Sequence, residues 1–317
     1  MRVFVTGATG HIGSAVIPEL LAAGHHVVGL ARSQESADAL SAAGAAAHRG
    51  DLDDLDSVRA GAAAADGVIH LAYMHNAPAH VDAAAADLRA IEAIGQSLEQ
   101  SQKPFVVTSG TLVLTPGRVG TEADPPDTAA PAVGRGVAEN TALALAQRGI
   151  RSSVVRLPPT VHSSLDHHGF IPRLIEIALD KGTSAYIADG TNRWPAVHTL
   201  DAARFFRLAL EDAPAGSRWH AAADQALPFR EIAETIGRML NVPARGIPQE
   251  QAEEQFGWLS FAVSADNPTS STRTRQILAW TPEHPGLIQD LQENHYVDPH
   301  RATRSGSRSQ VTAMPAS

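Results

Sequence analysis

Short apolar runs alternate with amphipathic stretches through the first half of the chain. Val3, Phe4 and Val5 form a run of the kind buried on both faces of a sheet. Thr6 and Gly7 break it. From His11 the pattern turns helical, with Ile12, Ala15, Val16, Leu20 and Leu21 along one stripe. Pro18 falls inside that helix, where it removes one backbone hydrogen bond. A turn at Gly24 leads to a second buried strand, Val27 to Leu30, then an Ala-rich helix from Glu35 to Ala43 and a short third strand ending in HRGDLDD. DGVIHLA reads as the fourth strand, Val81 to Leu98 as a long helix, and PFVVTSGT as the fifth strand. A helix from Val133 to Arg148 leads to the sixth strand, SSVVRLPPTVH, which Pro158 and Pro159 end. Strict alternation of strand and helix predicts an α/β protein with a Rossmann-type, doubly wound parallel sheet.

The second half has a different texture. A loop carrying His162, Asp166, His167 and His168 precedes an amphipathic helix from Phe170 to Leu179, and a further helix spans Phe229 to Leu240. The expected organisation is a nucleotide-binding domain over 1–157 and a smaller substrate lobe over 158–296, interleaved with the end of the sheet. The tail over 297–317 is polar, basic and without periodicity, and is expected to be disordered. The Pro116–Pro131 loop is long for a compact domain and rich in Gly, Pro and acids, which points to function or mobility.

Composition narrows the field. The 317 residues suit one large domain, or one domain with a lobe. A net charge of −9 argues against nucleic-acid or anionic-membrane partners. There is no cysteine, which removes disulfides, thiolate metal sites and a Cys nucleophile together. No apolar run approaches the roughly 20 residues of a membrane helix, and the chain enters its first strand without a signal peptide. A cytoplasmic enzyme is the expectation.

The chemistry begins at TGATGHIG. Glycines at Gly7, Gly10 and Gly13 join a strand to a helix, the context in which such a triplet has meaning. The free N–H groups of a first helical turn, with the positive end of its dipole, form a seat for a diphosphate. A side chain at Gly7 or Gly10 would hold the diphosphate off, and one at Gly13 would hold the helix off the sheet. At the end of the second strand, where an acid would bind the ribose hydroxyls of NAD, stand Arg32 and Ser33. A guanidinium fork suits a 2′-phosphate. NADP is therefore the expected cofactor, with Glu35 keeping NAD open. Asp51 is placed to accept from the adenine amino group with Leu52 against the ring; by spacing, Asp51 or Asp53 equally suits a cap on the next helix.

TGATGHIG, ARS, GDLDD, DGVIHLA, VVTSGT, VVRLPPTVH and WPAVHTLDAARFFRLALE occur in this order. Together they resemble the extended and atypical branches of the short-chain dehydrogenase/reductase superfamily, the NAD-dependent epimerase/dehydratase group, over about residues 1–295. The resemblance implies a diphosphate loop of Gly7, Thr9, Gly10, His11, Ile12 and Gly13. Arg32 and Ser33 then select the cofactor, and Asp51 and Leu52 touch adenine. Leu71, Ala72 and Ser109 lie along the dinucleotide, and Pro158 faces the nicotinamide. Members of this group often pair through two helices of the sheet domain, so a homodimer is within expectation.

One part of the pattern is missing. The family's chemistry depends on a Tyr and a Lys four residues later, the phenol acting as proton donor or acceptor. Aligned by Glu139, this chain has Pro131 at the Tyr position and Arg135 at the Lys position. Arg135 retains the capacity to bind ribose, but proline has no proton to give. Replacement acids near the nicotinamide are Tyr73 and His75 after the fourth strand, Ser109 and Thr111 after the fifth, and His162 after the sixth. The adjacent histidines of the His162–His168 loop lack the i, i+4 spacing of a zinc site, so no metal is expected and substrate contact is. Trp194 and His198 are expected to shape the lobe, and Asp201 to cap a helix beginning near Ala202. No phosphate-binding loop with Gly-Lys-Ser/Thr and no G-x-S-x-G elbow occurs.

Three functions remain. The first is an NADP-dependent oxidoreductase reducing a carbonyl or related group of a small, apolar substrate. The second is an epimerase, dehydratase or isomerase of the same fold, and the third a non-enzymatic NADP-binding sensor.

Overall fold

The structure, a computed structural model, describes residues 1–73, 80–128, 130, 132–293 and 295–296. Met74, His75, Pro131 and the 297–317 tail lie outside the described residues. The first half alternates without exception: β1 (Arg2–Thr6), α1 (His11–Ala22), β2 (His26–Ala31), α2 (Gln34–Ala42), β3 (Ala46–Arg49), α3 (Leu55–Ala63), β4 (Gly67–His70), α4 (His80–Leu98), β5 (Pro104–Gly110), α5 (Val133–Ala144) and β6 (Arg151–Leu157). There follow β7 (Thr160–His162), α6 (Phe170–Lys181), β8 (Ser184–Ile187), β9 (Arg193–His198), α7 (Thr199–Asp212), β10 (Ser217–His220), β11 (Asp224–Pro228), α8 (Phe229–Leu240) and β12 (Ala244–Ile247). Four short helices end the described chain: α9 (Ala252–Phe256), α10 (Ser260–Val263), α11 (Thr272–Leu278) and α12 (Leu287–Gln292).

Seven strands form one sheet in the order β10-β6-β5-β4-β1-β2-β3, every pair parallel. This is the doubly wound sheet that the sequence predicts. The chain runs outward from β1 to β3, then crosses back to β4, so the order reverses between β1 and β4. A ligand crevice opens at the carboxyl ends of strands at such a point.

Side-chain alternation along β1 explains its continuous apolar run. Val3 and Val5 pack with Val16 and Leu20 of α1 and with Phe205 and Phe206 of α7. Phe4 points the other way, into Val58 of α3 and Ile91 of α4. Gly61 on α3 admits the Phe4 ring, since a Cβ there would lie 2.4 Å from it. Burying such a ring contributes about 2–3 kcal/mol, and both layers of helices gain from one strand.

A second core lies beyond the sheet, around Trp194, Phe229, Ile232, Phe256 and Leu259. On α8, Phe229, Ile232, Ala233 and Ile236 are buried at i, i+3, i+4 and i+7. Two three- and two-stranded ladders, β11-β9-β7 and β12-β8, complete this part. The intervening α7 and β10 belong elsewhere: α7 packs on α1, and β10 extends the main sheet beside β6.

Pro18 lies inside α1, as expected, and is exposed. Several other local expectations need correction. The sixth strand, β6, ends before the proline pair, as expected, but Thr160–His162 beyond it forms a separate strand, β7, in a different sheet. The last turn of the predicted 133–148 helix tightens to a 3-10 turn, Leu145–Arg148. α7 starts at Thr199, capped by His198, whose Nδ1 accepts from the Leu200 N–H at 3.2 Å. Asp201 therefore caps nothing. It turns inward and accepts from the N–H groups of Glu283 and His284, at 2.9 and 3.1 Å. Among the described residues, no helix is long and apolar enough to cross a membrane.

Candidate active site

The glycine turn is built by close approach. Gly7 has φ +66°, and a Cβ on it would lie 2.7 Å from the Ala72 nitrogen at the exit of β4. A Cβ on Gly13 would lie 2.2 Å from the Gly7 carbonyl oxygen and 2.6 Å from that of Ala8. Gly7 is thus needed for the β1 and β4 ends to touch, and Gly13 for α1 to fold back on the turn. The Gly10 N–H donates to the Gly7 carbonyl at 3.0 Å, and Gly10 is the N-cap of α1. No side chain among the described residues caps this helix. Its first-turn N–H groups, on His11, Ile12 and Gly13, have no acceptor within the helix, the feature that lets a helix start bind an anion.

Behind the turn lies a buried chain of hydrogen bonds that the sequence reading missed. The Ala72 N–H donates to Thr6 Oγ1 at 3.3 Å, and the same hydroxyl is hydrogen-bonded to His70 Nδ1 at 2.7 Å. His70 Nε2–H then donates to Asp87 Oδ1 of α4 at 3.0 Å. These groups hold the residues leading to Tyr73. The only local signal was a histidine and an acid at inward-facing positions.

At the far end of the crevice, Arg32 is exposed. Ser33 is the N-cap of α2, its Oγ accepting from the Ser36 N–H at 3.1 Å. Arg49 was also missed. Sheet register sets it beside Ala31, and its guanidinium donates to the Ser33 carbonyl. Two guanidinium groups, of Arg32 and Arg49, therefore belong to residues next to Ser33 in sequence or hydrogen-bonded to it. Asp54 caps α3, accepting from the Ser57 N–H, so neither Asp51 nor Asp53 does. Asp51 instead accepts from the Asp53 N–H at 3.1 Å, and Leu52 is buried beside it.

Where β4 and β5 end, Leu71, Ala72 and Tyr73 are half-buried. The Arg135 guanidinium carbon lies 4.0 Å from the centroid of the Tyr73 ring, and its Nη2 donates to the Thr108 carbonyl at 3.1 Å. Burial raises the Tyr73 phenol above its ordinary pKa; the Arg135 charge works against this, and Asp87 adds to it. Arg135 Nε and Ser109 Oγ are buried with no hydrogen-bond partner among the described residues. Such orphaned groups call for a ligand or water. Thr111 is different: fully buried, its hydroxyl donates to Asn267 Oδ1 at 2.6 Å, which ties the β5 exit to a distant loop. One turn along α5, Glu139 fixes the helix to the sheet by bonds to Arg156 at 2.9 and 2.5 Å and to Arg218 at 2.7 Å. Pro158 is buried at the end of β6.

The histidine loop divides. His167 and His168 are exposed, whereas His162 and Asp166 are buried. His162 Nδ1 bonds Asp290 at 2.8 Å, while its Nε2 has no partner among the described residues. His198, expected to shape the lobe, stacks on His284 at 4.6 Å between ring centroids, and burial holds its pKa down to about 4. Trp194 is fully buried and donates to the Ala262 carbonyl at 3.1 Å.

Sheet order, switch point and glycine turn together define a Rossmann-type fold of the dinucleotide-binding class. The chain belongs to the NAD-dependent epimerase/dehydratase family, whose model matches residues 3–222. An uncharacterised protein of Schizosaccharomyces pombe is 48% identical over 297 residues, covering 93% of this chain and 100% of that one. The 2'-dehydrokanamycin reductase of Streptomyces kanamyceticus is 31% identical over 272 residues, covering 81% of this chain and 72% of its own. Among solved structures, dTDP-glucose 4,6-dehydratase of Streptomyces venezuelae with NAD bound superposes with a TM-score of 0.73 at 20% identity, covering 97% of this chain and 99% of that one. At that identity the likeness is one of fold.

Proposed function

We propose that the protein is an NADP-dependent reductase acting on a carbonyl or related group of a small, apolar substrate. The observation that carries this is the Arg135 guanidinium over the Tyr73 ring where β4 ends, bonded to the Thr108 carbonyl next to Ser109, whose hydroxyl is orphaned. Tyr73 and Arg135 form an acid–base pair in place of the family's missing Tyr and Lys. The reductase among the relatives supports the reaction class.

The uncapped first turn of α1, the glycines beneath it and the two orphaned polar groups fit a nicotinamide dinucleotide. Gly7, Thr9, Gly10, His11, Ile12 and Gly13 would hold its diphosphate. Arg32, Ser33 and Arg49 would hold a 2′-phosphate, and Asp51 and Leu52 the adenine. Leu71, Ala72, Arg135 and Pro158 would line the rest. When bound, the dinucleotide supplies a hydride.

The chain's own residues then have to deliver a proton to the heteroatom. Tyr73 Oη is the donor in this reading. Its raised pKa keeps it protonated at neutral pH, and the Arg135 charge stabilises the phenolate left behind. Ser109 Oγ orients the substrate oxygen. Leu112, Ala132 and Phe170, packed at the edge of the second core, give the substrate an apolar wall. The substrate lobe is then the chain after Leu157, less α7, which packs on α1, and β10, which extends the main sheet.

The test follows NADPH fluorescence with a panel of ketones, quinones and imines. Net consumption supports the reductase. Product without net consumption would replace it with an isomerase or epimerase, and saturable binding without turnover across the panel with a sensor.

A further inference from the structure

His11 opens α1, directly behind the diphosphate seat, and its two ring nitrogens face different partners. Nε2 lies 2.8 Å from Thr199 Oγ1. That hydroxyl donates its single hydrogen to the His162 carbonyl at 3.1 Å and accepts one from Ser163 Oγ at 2.8 Å. Its remaining capacity is as an acceptor, so His11 Nε2 carries a hydrogen and Nδ1 presents a lone pair. Nδ1 faces Asp166 Oδ1 at 3.7 Å. A lone pair opposite a carboxylate oxygen is repulsive unless one of the two holds a proton. Asp166 is 3% exposed, its Oδ1 accepts from the Gly169 N–H at 2.7 Å, and its Oδ2 is buried without a partner among the described residues.

We propose that Asp166 and His11 share one proton, and that it passes from Asp166 to His11 Nδ1 when a dinucleotide diphosphate is bound at α1. One O–H bond breaks and one N–H bond forms, leaving a carboxylate–imidazolium pair behind the phosphates. Asp166 is a positioning residue in this scheme: it acts on the cofactor through His11. The inference rests on the dinucleotide-binding reading above and extends it.

The physical reason lies in the sign of the local field. Without an anion, a cation in the first turn of a helix opposes the dipole. Burial and the neighbouring imidazoles oppose it further, and His11 is held down to about 4. Burial pushes Asp166 up to about 7, so the shared proton resides there. The other titratable groups facing the pair are His162 and His167 from its own loop, His198 at the head of α7, and Asp290 and Tyr296 from the C-terminal segment. None of them lies in the first turn of α1. A diphosphate reverses the field at His11, and both imidazolium N–H groups then have an acceptor to turn to, Thr199 Oγ1 at 2.8 Å and Asp166 Oδ1, which has to close from 3.7 Å.

The experiment is titration calorimetry of the full chain with NADPH, in two buffers of different ionisation enthalpy. At about pH 8, where Asp166 of the free protein is mostly ionised, binding should take up close to one proton, falling toward zero at about pH 6. Asp166→Asn keeps the acceptor for the Gly169 N–H and should bind NADPH with that uptake lost. His11→Asn should lose it too; uptake persisting in this variant would put the proton elsewhere and overturn the proposal. Wild-type binding with equal heats in both buffers at about pH 8 would also overturn it. Absence of any saturable heat with NADPH or NADH would instead overturn the cofactor reading itself.

Discussion

Arg135 lies over the ring of Tyr73, 4.0 Å from guanidinium carbon to ring centroid, although Tyr73 follows β4 and Arg135 lies in the first turn of α5. A guanidinium over an aromatic face contributes about 1 kcal/mol of attraction, and it places a fixed positive charge where a phenolate would form. Tyr73→Phe keeps the stacking and removes the proton. Turnover should fall by ~100-fold or more, while NADPH affinity changes only a few-fold. Loss of affinity in step with turnover would make Tyr73 part of the cofactor seat and not the acid.

Arg32 and Arg49 flank Ser33, where the proposed 2′-phosphate would lie, the second reaching it through sheet register. Charge-assisted bonds to a phosphate contribute about 1.5–3 kcal/mol each. Arg32→Ser or Arg49→Ser should therefore weaken NADPH by ~10-fold or more and leave NADH nearly unchanged. Equal weakening of both, by fluorescence titration, would remove the 2′-phosphate assignment.

The β1–glycine–α1 unit was legible because period, glycine spacing and apolar content all agree over thirteen residues. The same holds for the alternation up to β6. What stayed hidden depends on distance along the chain. Asp201 has the local look of a helix cap, yet its acceptors serve an N–H 82 residues on. The actual cap is a histidine, a residue without strong preference for that position. Arg49 acquires its role from strand register, and the His70–Asp87 pair from the packing of α4 on β4. The pairing of Tyr73 with Arg135 and the closure of His11 on Asp166 likewise form only when the sheet is assembled. Sequence reasoning singled out Tyr73, Arg135, His11 and Asp166 but not which of them would meet, and it missed Arg49, His70 and Asp87.

Gly13→Ala should be among the most damaging single-methyl additions. The new Cβ would meet two backbone oxygens, of Gly7 and Ala8, at 2.2 and 2.6 Å, and neither belongs to a flexible side chain. α1 would have to lift from the turn, costing a few kcal/mol and dispersing the N–H groups of the anion seat. Chemical denaturation should show the loss, and dinucleotide binding should fall further than stability alone explains. An unshifted denaturation midpoint would contradict the packing described here.

Glu139 and Arg156 are both fully buried, and the carboxylate also receives Arg218. Removing one partner strands a buried charge, which costs about 3–5 kcal/mol. Glu139→Gln should lower stability by that order, because Arg156 then faces a neutral amide. Since Arg135 lies one turn away on the same helix, dinucleotide binding should weaken as well. A change under about 1 kcal/mol would mean that solvent reaches the pair.

Acid should unfold the dinucleotide-free protein through its buried imidazoles. Burial, with the Arg156 charge second, holds His220 down to about 3; burial first, and neighbouring imidazoles after it, hold His11 and His198 to about 4. The unfolded chain takes protons at these positions near the ordinary histidine value of 6.5. Their stabilisation is complete above that value and is lost as pH falls through the folded pKa values. Each group that wholly resists protonation steepens the loss by about 1.4 kcal/mol per pH unit. His220, fully buried, counts in full, and the partly exposed His11 and His198 count for a fraction. Asp166 has the opposite sign. Raised to about 7, it stabilises most below its unfolded value of 3.8 and loses that contribution as pH rises through 7. Between pH ~6.5 and ~4 it offsets one imidazole. Urea midpoints should therefore decline from about pH 7 to about pH 5, and more steeply in Asp166→Asn. A midpoint that stays level or rises over that interval would show that these histidines charge freely within the folded protein.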